Sequence, residues 1–464
     1  MLQVPIEDAD IAPGRVVEWR LVSAQGPGPD RTHQTRAAAT YNQVKHFTSA
    51  QEARRANDPV STYLAGTFEI AGPLDRGSLE AALLRFVRRH EALRCTFQQI
   101  VGDLACDVLT PDEVALEPVE VGEFETTDEI DSYLQKSFQG IDTLSWPLIT
   151  MGAVIREESS TVFFACDHLV GDGMSTPIAV NDIAAAYAAF TRGEEPEAPE
   201  VGSYLRFCRE QRALSASMDA DDERLGYWKS FMARNGDFFP AFPLDLGIEP
   251  GRMYPTVNEM DPLLSASATD AMETACRNAD GRLFMGLLAA VGVSLRKEGG
   301  PGTYRGFMPI SERGQGPYTH AMGWFINTLP IEFSVESDDF AEVMTHVRDA
   351  STEMRAHLDV PFVQAWRLLA PGYFALREWP FAVNFFSYLD FRRAPGSEHH
   401  AQARAKKHVW ASQSNGICFW FHRNQGGLYV NTIFVDTERA RVTKDALRQR
   451  LKQTLENIAA SGTL

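Results

Sequence analysis

The chain of 464 residues has six cysteines, and no two of them stand in a C-x-x-C spacing. Zinc ribbons and thiol redox sites need that spacing. Cys95, Cys106, Cys166, Cys208, Cys276 and Cys418 therefore read as small hydrophobes in a reduced protein. Positive charge is also scarce: 44 Lys and Arg face 62 Asp and Glu, a net charge of −18. This balance favours solubility and argues against general binding to nucleic acid or to an anionic membrane. No uninterrupted apolar run reaches the ~18 residues of a membrane span. The first residues, MLQVPIEDADIAPG, have neither the basic start nor the apolar stretch of a signal peptide, so a cytoplasmic protein is expected. The sequence has no G-x-S-x-G elbow, no Walker loop and no H-E-x-x-H. GGPGTYRG at 299–306 is rich in glycine but lacks the dinucleotide spacing, and reads as a loop.

What is present is an ordinary globular composition, 44% hydrophobic and 23% charged, on a chain long enough for two domains. In LDRGSLEAALLRFVRRHEALRCTF, residues Leu79, Ala82, Leu83, Phe86 and Val87 recur at helical spacing and predict one apolar helix face. Ser160–Cys166 is short, apolar and flanked by polar residues, the pattern of a buried strand. PIAVNDIAAAYAAF then predicts a helix. The Pro- and Gly-rich stretch 236–255 reads as the clearest linker.

Past that stretch the sequence predicts two helices, strands at TYRGFMPI, FINTLPIEFSV and FAVNFFSYLDF, a hairpin around Gln425-Gly426-Gly427, and a C-terminal helix. Both halves mix helices and strands. The expected fold class is α+β in two lobes, with an N-terminal lobe over 1–205, a linker or crossover over 206–255 and a C-terminal lobe over 256–464. His399, His400 and His408, in SEHHAQARAKKHVW, read as part of a polar, mobile loop rather than a metal site.

The stretch TVFFACDHLVGDG, 161–173, carries the chemistry. His168, Asp172 and Gly173 follow where the predicted strand runs out. A loop held by a buried strand and a following helix can present a side chain rigidly. A neutral imidazole with an ordinary pKa near ~6.5 suits a general base for a hydroxyl or amine nucleophile. Asp172 has two open roles: to orient the imidazole directly, or to point away, pair with an arginine and lock the loop. Gly173 permits close backbone approach, with its N–H free to face a developing oxyanion.

HLVGDG resembles the H-x-x-x-D-G signature of the chloramphenicol acetyltransferase-like superfamily. That group includes the condensation domains of peptide synthetases, carnitine and plant acyltransferases, and polyketide-associated acyltransferases. RHEALRCTF at 89–97, GWFINTLPIEF at 323–333 and NFFSYLDF at 384–391 resemble further condensation-domain stretches, in the same order. RVVEWR, SYLRFCREQR at 203–212 and FPLDLG at 242–247 look most like the stand-alone polyketide-associated acyltransferases.

The resemblance implies two chloramphenicol acetyltransferase-like lobes, each a mixed sheet with flanking helices, set as a V around a central tunnel. It implies an acyltransferase with His168 as base, and a structural Asp172 paired with Arg313, in the PISERG segment. Trp324, Asn327 and Tyr388 are cleft-lining candidates by motif position. It implies no permanently bound cofactor and no metal. Acyl-CoA or a phosphopantetheinyl thioester is the co-substrate, and any acyl carrier protein or polyketide synthase acts in trans on a small-molecule acceptor. A monomer is expected.

Two departures bear on the reaction. Condensation domains usually read H-H-x-x-x-D-G, and Asp167 stands here in place of the first histidine. The plant-type D-F-G-W-G is absent. The first moves the expectation from peptide condensation toward ester formation by a stand-alone enzyme, and the second argues against the plant branch. Amide formation on an amine, and a silent module that only docks carrier proteins, are the alternatives.

Overall fold

A computed structural model describes residues 1–24, 36–57, 61–249, 252–314, 316–374 and 384–464. They form two compact units, each discontinuous in sequence. The first joins Met1–Leu214 to Ser311–Ile326 and Phe391–Ala411. The second is made of Ser215–Ile310, Asn327–Asp390 and Ser412–Leu464. Two segments from the C-terminal half thus pack with the N-terminal unit, which a linear division at 206–255 does not express.

The first unit is built on a seven-stranded mixed sheet. Its strands run in the order Leu2–Gln3, Lys406–Ala411, Thr62–Ala71, Ser159–Cys166, Ile149–Ile155, Arg15–Ser23 and Val114–Glu123. Among the described residues the parallel pair of this sheet is Leu2–Gln3 with Lys406–Ala411; Thr62–Ala71 and Ser159–Cys166 run antiparallel from Leu64↔Cys166 to Ala71↔Ser159. One apolar cluster gathers Tyr63, Ala65, Phe163 and Ala165 from these two strands with Ile130, Leu134 and Phe138 of the helix Thr127–Gln139. Burying each large side chain contributes roughly 1.5–3 kcal/mol, and this anchors the strand that carries the HLVGDG loop. The helix Arg76–Arg89 buries Leu79, Ala82, Leu83, Phe86 and Val87, the five positions its spacing predicts, and packs against the helix Ser175–Thr191.

The second unit has its own seven-stranded mixed sheet, in the order Ile326–Ser334, Thr303–Ser311, Phe385–Asp390, Ile417–Asn424, Gly427–Val435, Tyr254–Ser265 and Gln413–Ser414. Ile417–Asn424 and Gly427–Val435 form the predicted hairpin, closing at Asn424↔Gly427. Trp228, Phe238, Phe307, Phe362 and Trp366 make an aromatic core, with Trp228 and Phe238 stacked at 5.1 Å. The predicted helix pair appears as Ala266–Asn278 and Leu283–Lys297, and the C-terminal helix spans Glu438–Ser461.

The SEHHAQARAKKHVW segment differs from its expectation. Lys406–Ala411 is a strand inside the first unit's sheet, and His400, Lys407 and His408 are buried. His408 is the clearest case. Its Nδ1 donates to the Val4 carbonyl and its Nε2 accepts from the Thr67 hydroxyl, both at 3.0 Å. Burial lowers its pKa from 6.5 to about 4. The unfolded chain therefore takes up this proton at a higher pH than the folded chain does. Stability is expected to fall as pH drops from 6.5 towards 4, by up to ~3 kcal/mol at this one residue. Urea unfolding at pH 7 and pH 4.5 checks this, and His408→Gln should flatten the difference. Equal stability at both pH values would contradict it.

Candidate active site

The loop after Ser159–Cys166 is fixed by its own acidic residues. Asp167 is fully buried and caps a single helical turn, His168–Val170, by accepting from the Leu169 N–H at 2.7 Å. Its other carboxylate oxygen accepts from the Thr143 hydroxyl at 2.6 Å. Gly171 lies so close to Cys166 that an added Cβ would meet the thiol at 2.9 Å, and a side chain there would force a shift.

Asp172 is also fully buried. Its Oδ1 accepts from the N–H groups of Met174 and Ser175, at 3.1 Å each, and from the Ser175 hydroxyl. The carboxylate thus sits at the start of the helix Ser175–Thr191, where the helix dipole favours negative charge. Oδ2 accepts from Arg313 Nη1 at 2.5 Å and from the Phe325 N–H at 3.0 Å. Arg313 is 6% exposed, donates also to the Ala321 and Gly323 carbonyls, and lies over the Phe325 ring at 4.6 Å. Burial alone would raise the Asp172 carboxyl, but Arg313 and the Phe325 N–H outweigh it and hold the group below its ordinary value. Every acceptor position of Asp172 facing the loop is occupied. Its hydrogen bonds run to Arg313, Phe325, Met174 and Ser175.

His168 is half-buried, with its ring 4.1 Å from that of Trp324. Nδ1 is sealed from solvent and makes no hydrogen bond to another residue. Burial, with the charge of His46 adding to it, lowers the His168 pKa from 6.5 to about 4, against smaller opposing effects of Asp167 and Asp172. At neutral pH the ring is uncharged.

The first unit therefore brings together His168, Asp172, Arg313 and Trp324, with Gly173 half-buried beside Asp172. Asn327 and Tyr388 belong to the second unit. The Asn327 amide is taken up in packing: it donates to the Leu358 and Val360 carbonyls and accepts from the Phe362 N–H. Tyr388 is half-buried on Phe385–Asp390, across from Phe421. The sequence reading did not single out Gln43 and His46 on the helix Tyr41–Arg55. Gln43 donates to the Leu169 carbonyl at 2.6 Å, and His46 Nε2 meets Asp167 at 3.2 Å. Their i,i+3 spacing puts both on the face that meets the loop, the one signal that could have paired them. Among the described residues no cluster of His, Cys, Asp and Glu could hold a metal, and no helix is long and apolar enough to cross a membrane.

Comparison with known proteins agrees with this architecture. The condensation-domain family model matches residues 55–373. The 2'-acyl-2-O-sulfo-trehalose (hydroxy)phthioceranyltransferase PapA1 of Mycobacterium tuberculosis is 26% identical over 386 residues, covering 82% of this chain and 74% of that protein. The acyltransferase PapA3 of the same species is 24% identical over 467 residues, covering 98% and 96%. The solved structure of a PapA2 acyl transferase superposes with a TM-score of 0.88 at 20% identity, covering 99% of this chain and all of that one. The chain belongs to the condensation-domain family and is an acyltransferase, as those relatives are.

Proposed function

We propose that this acyltransferase moves an acyl group from a thioester, acyl-CoA or an acyl carrier protein acting in trans, to a hydroxyl of a lipid or natural-product acceptor. His168 is the general base, and no acyl-enzyme forms. One observation carries the reading: a neutral imidazole stands on a loop locked by a buried ion pair.

As the hydroxyl oxygen attacks the thioester carbonyl, Nε2 takes the hydroxyl proton. The tetrahedral intermediate collapses, the C–S bond breaks, and the same proton passes to the departing thiolate. The products are an ester and a free thiol, and His168 returns to its neutral form. A covalent route through the neighbouring thiol is disfavoured, because burial holds the Cys166 thiol far above its ordinary pKa. The Ser175 hydroxyl is committed to Asp172 and the Gly323 carbonyl. Asp172 and Arg313 hold the loop, and the Gly173 N–H is the candidate donor to the oxyanion. PapA1, by its name, acts on an acylated sulfo-trehalose; a hydroxyl-bearing acceptor is the corresponding expectation here. The enzyme binds no permanent cofactor and works as a cytoplasmic monomer.

The test is mass spectrometry of short- and long-chain acyl-CoA donors with trehalose, alkanol and amine acceptors, with and without enzyme. An acylated hydroxyl product, with one thiol released per ester, is expected. Acylation of amines alone, or no acylated product with any donor, would overturn the reading.

A further inference from the structure

Two histidines, one tryptophan and one buried carboxylate meet at this site, and the reaction above uses only His168. His46 reaches it from the helix Tyr41–Arg55. Its ring lies 6.3 Å from that of His168, and 5.7 Å from that of Trp324, which it meets edge-on at 81°. Its Nε2 is 3.2 Å from Asp167 Oδ1. The four groups form a closed set: Asp167 holds His46, His46 abuts the edge of Trp324, and Trp324 lies against His168. Asp167 is the residue just before His168, so both ends of the set are anchored on one loop.

The carboxylate needs this partner. Burial pushes the Asp167 carboxyl up, and His46, with the Thr143 hydroxyl and the Leu169 N–H, more than offsets that and keeps it ionised. The other titratable groups around the loop are Asp172 with Arg313, and Cys166 before it.

We propose that His46, held by the Asp167 carboxylate, is a positioning residue for His168: it fixes Trp324 against the His168 ring. The proposal rests on the reading of His168 as the base. When His46 carries a proton, it acts through space to disfavour a second positive charge on His168. The packing sets the ring plane, which His168 cannot set for itself because Nδ1 has no partner outside its own main chain.

Two variants separate charge from contact. His46→Gln keeps an N–H donor for Asp167 and loses the charge. His46→Phe keeps a ring against Trp324 and loses the donor; combined with Asp167→Asn it leaves no buried carboxylate without its partner. In His46→Gln the acid limb of kcat/KM is expected to move to higher pH by about half a unit or more, with the plateau reduced less than tenfold. In His46→Phe/Asp167→Asn, kcat at neutral pH is expected to fall about tenfold with KM little changed.

The protonation midpoint of His168, followed by NMR of its imidazole C–H signals, should rise in His46→Gln as well. That readout needs no turnover, so it tests the inference even if no thioester is turned over. An unmoved His168 midpoint in His46→Gln, or an undiminished kcat in the double variant, would overturn the proposal. A shifted midpoint in a protein with no acyl transfer would uphold the coupling and remove the proposed reaction instead.

Discussion

Replacing His168 by alanine is expected to lower kcat/KM by about 10²–10⁴, the usual contribution of a positioned general base, while the protein stays folded. The two halves of this expectation come from different contacts. Among the described residues the loop hangs from Asp167, Asp172 and Gln43. The buried Nδ1 makes no bond to another residue, so its removal leaves no distant partner unsatisfied. Stability should therefore change by no more than about 1 kcal/mol.

Because burial lowers the His168 pKa to about 4, the base is already deprotonated at pH 6. The acid limb of the wild-type profile should accordingly lie below the ordinary histidine range. Steady-state kinetics with an acceptor that turns over, alongside circular dichroism and thermal unfolding, checks both halves. Near-normal turnover in a folded His168→Ala would remove the base from the mechanism. An acid limb near pH 6.5 would show that the ring is charged where the structure holds it neutral.

Much of this site was legible because its determinants are local. The apolar run ending in Cys166, the glycines of HLVGDG and the five-residue apolar face of Arg76–Arg89 each express a short-range rule. The loop-locking role of Asp172 needed a second segment, and Arg313 could be named as its partner only through the resemblance of PISERG to a family stretch.

Other features are set by contacts between distant parts of the chain. His46 lies 121 residues from Asp167, and a single histidine on a helix carries no pattern. Lys407 and His408 look polar, yet they are buried because a strand from the C-terminal half completes the first unit's sheet and finds Val4 and Thr67 there. Asn327 was chosen for its motif position, but its amide is used on the carbonyls and N–H around 358–362. In each case the missing information was which distant polar group needed a partner.

Breaking the Asp172–Arg313 pair from one side is expected to cost far more than deleting it from both. Asp172→Ala leaves the Arg313 guanidinium 6% exposed and without its counter-charge, and it strips two helix-start N–H groups and the Phe325 N–H of their acceptor. Removal of one partner of a buried ion pair typically costs ~3–5 kcal/mol. Arg313→Met strands the carboxylate in the same way, although its four backbone and hydroxyl donors remain. The double variant Asp172→Ala/Arg313→Met removes both charges and should be less destabilised than the two single losses added together, by at least about 1 kcal/mol.

The sign of the pH dependence identifies the group. The Asp172 carboxyl is held below its ordinary value, so its contribution is fully present above pH 4 and is lost only as pH falls through the lowered value. Losses between pH 6.5 and 4 belong to buried histidines such as His408. Urea unfolding of the three variants at pH 7 measures the coupling. A double variant that loses the full sum would mean that Asp172 and Arg313 stabilise their segments independently. The loop that presents His168 would then be held by something other than their pairing.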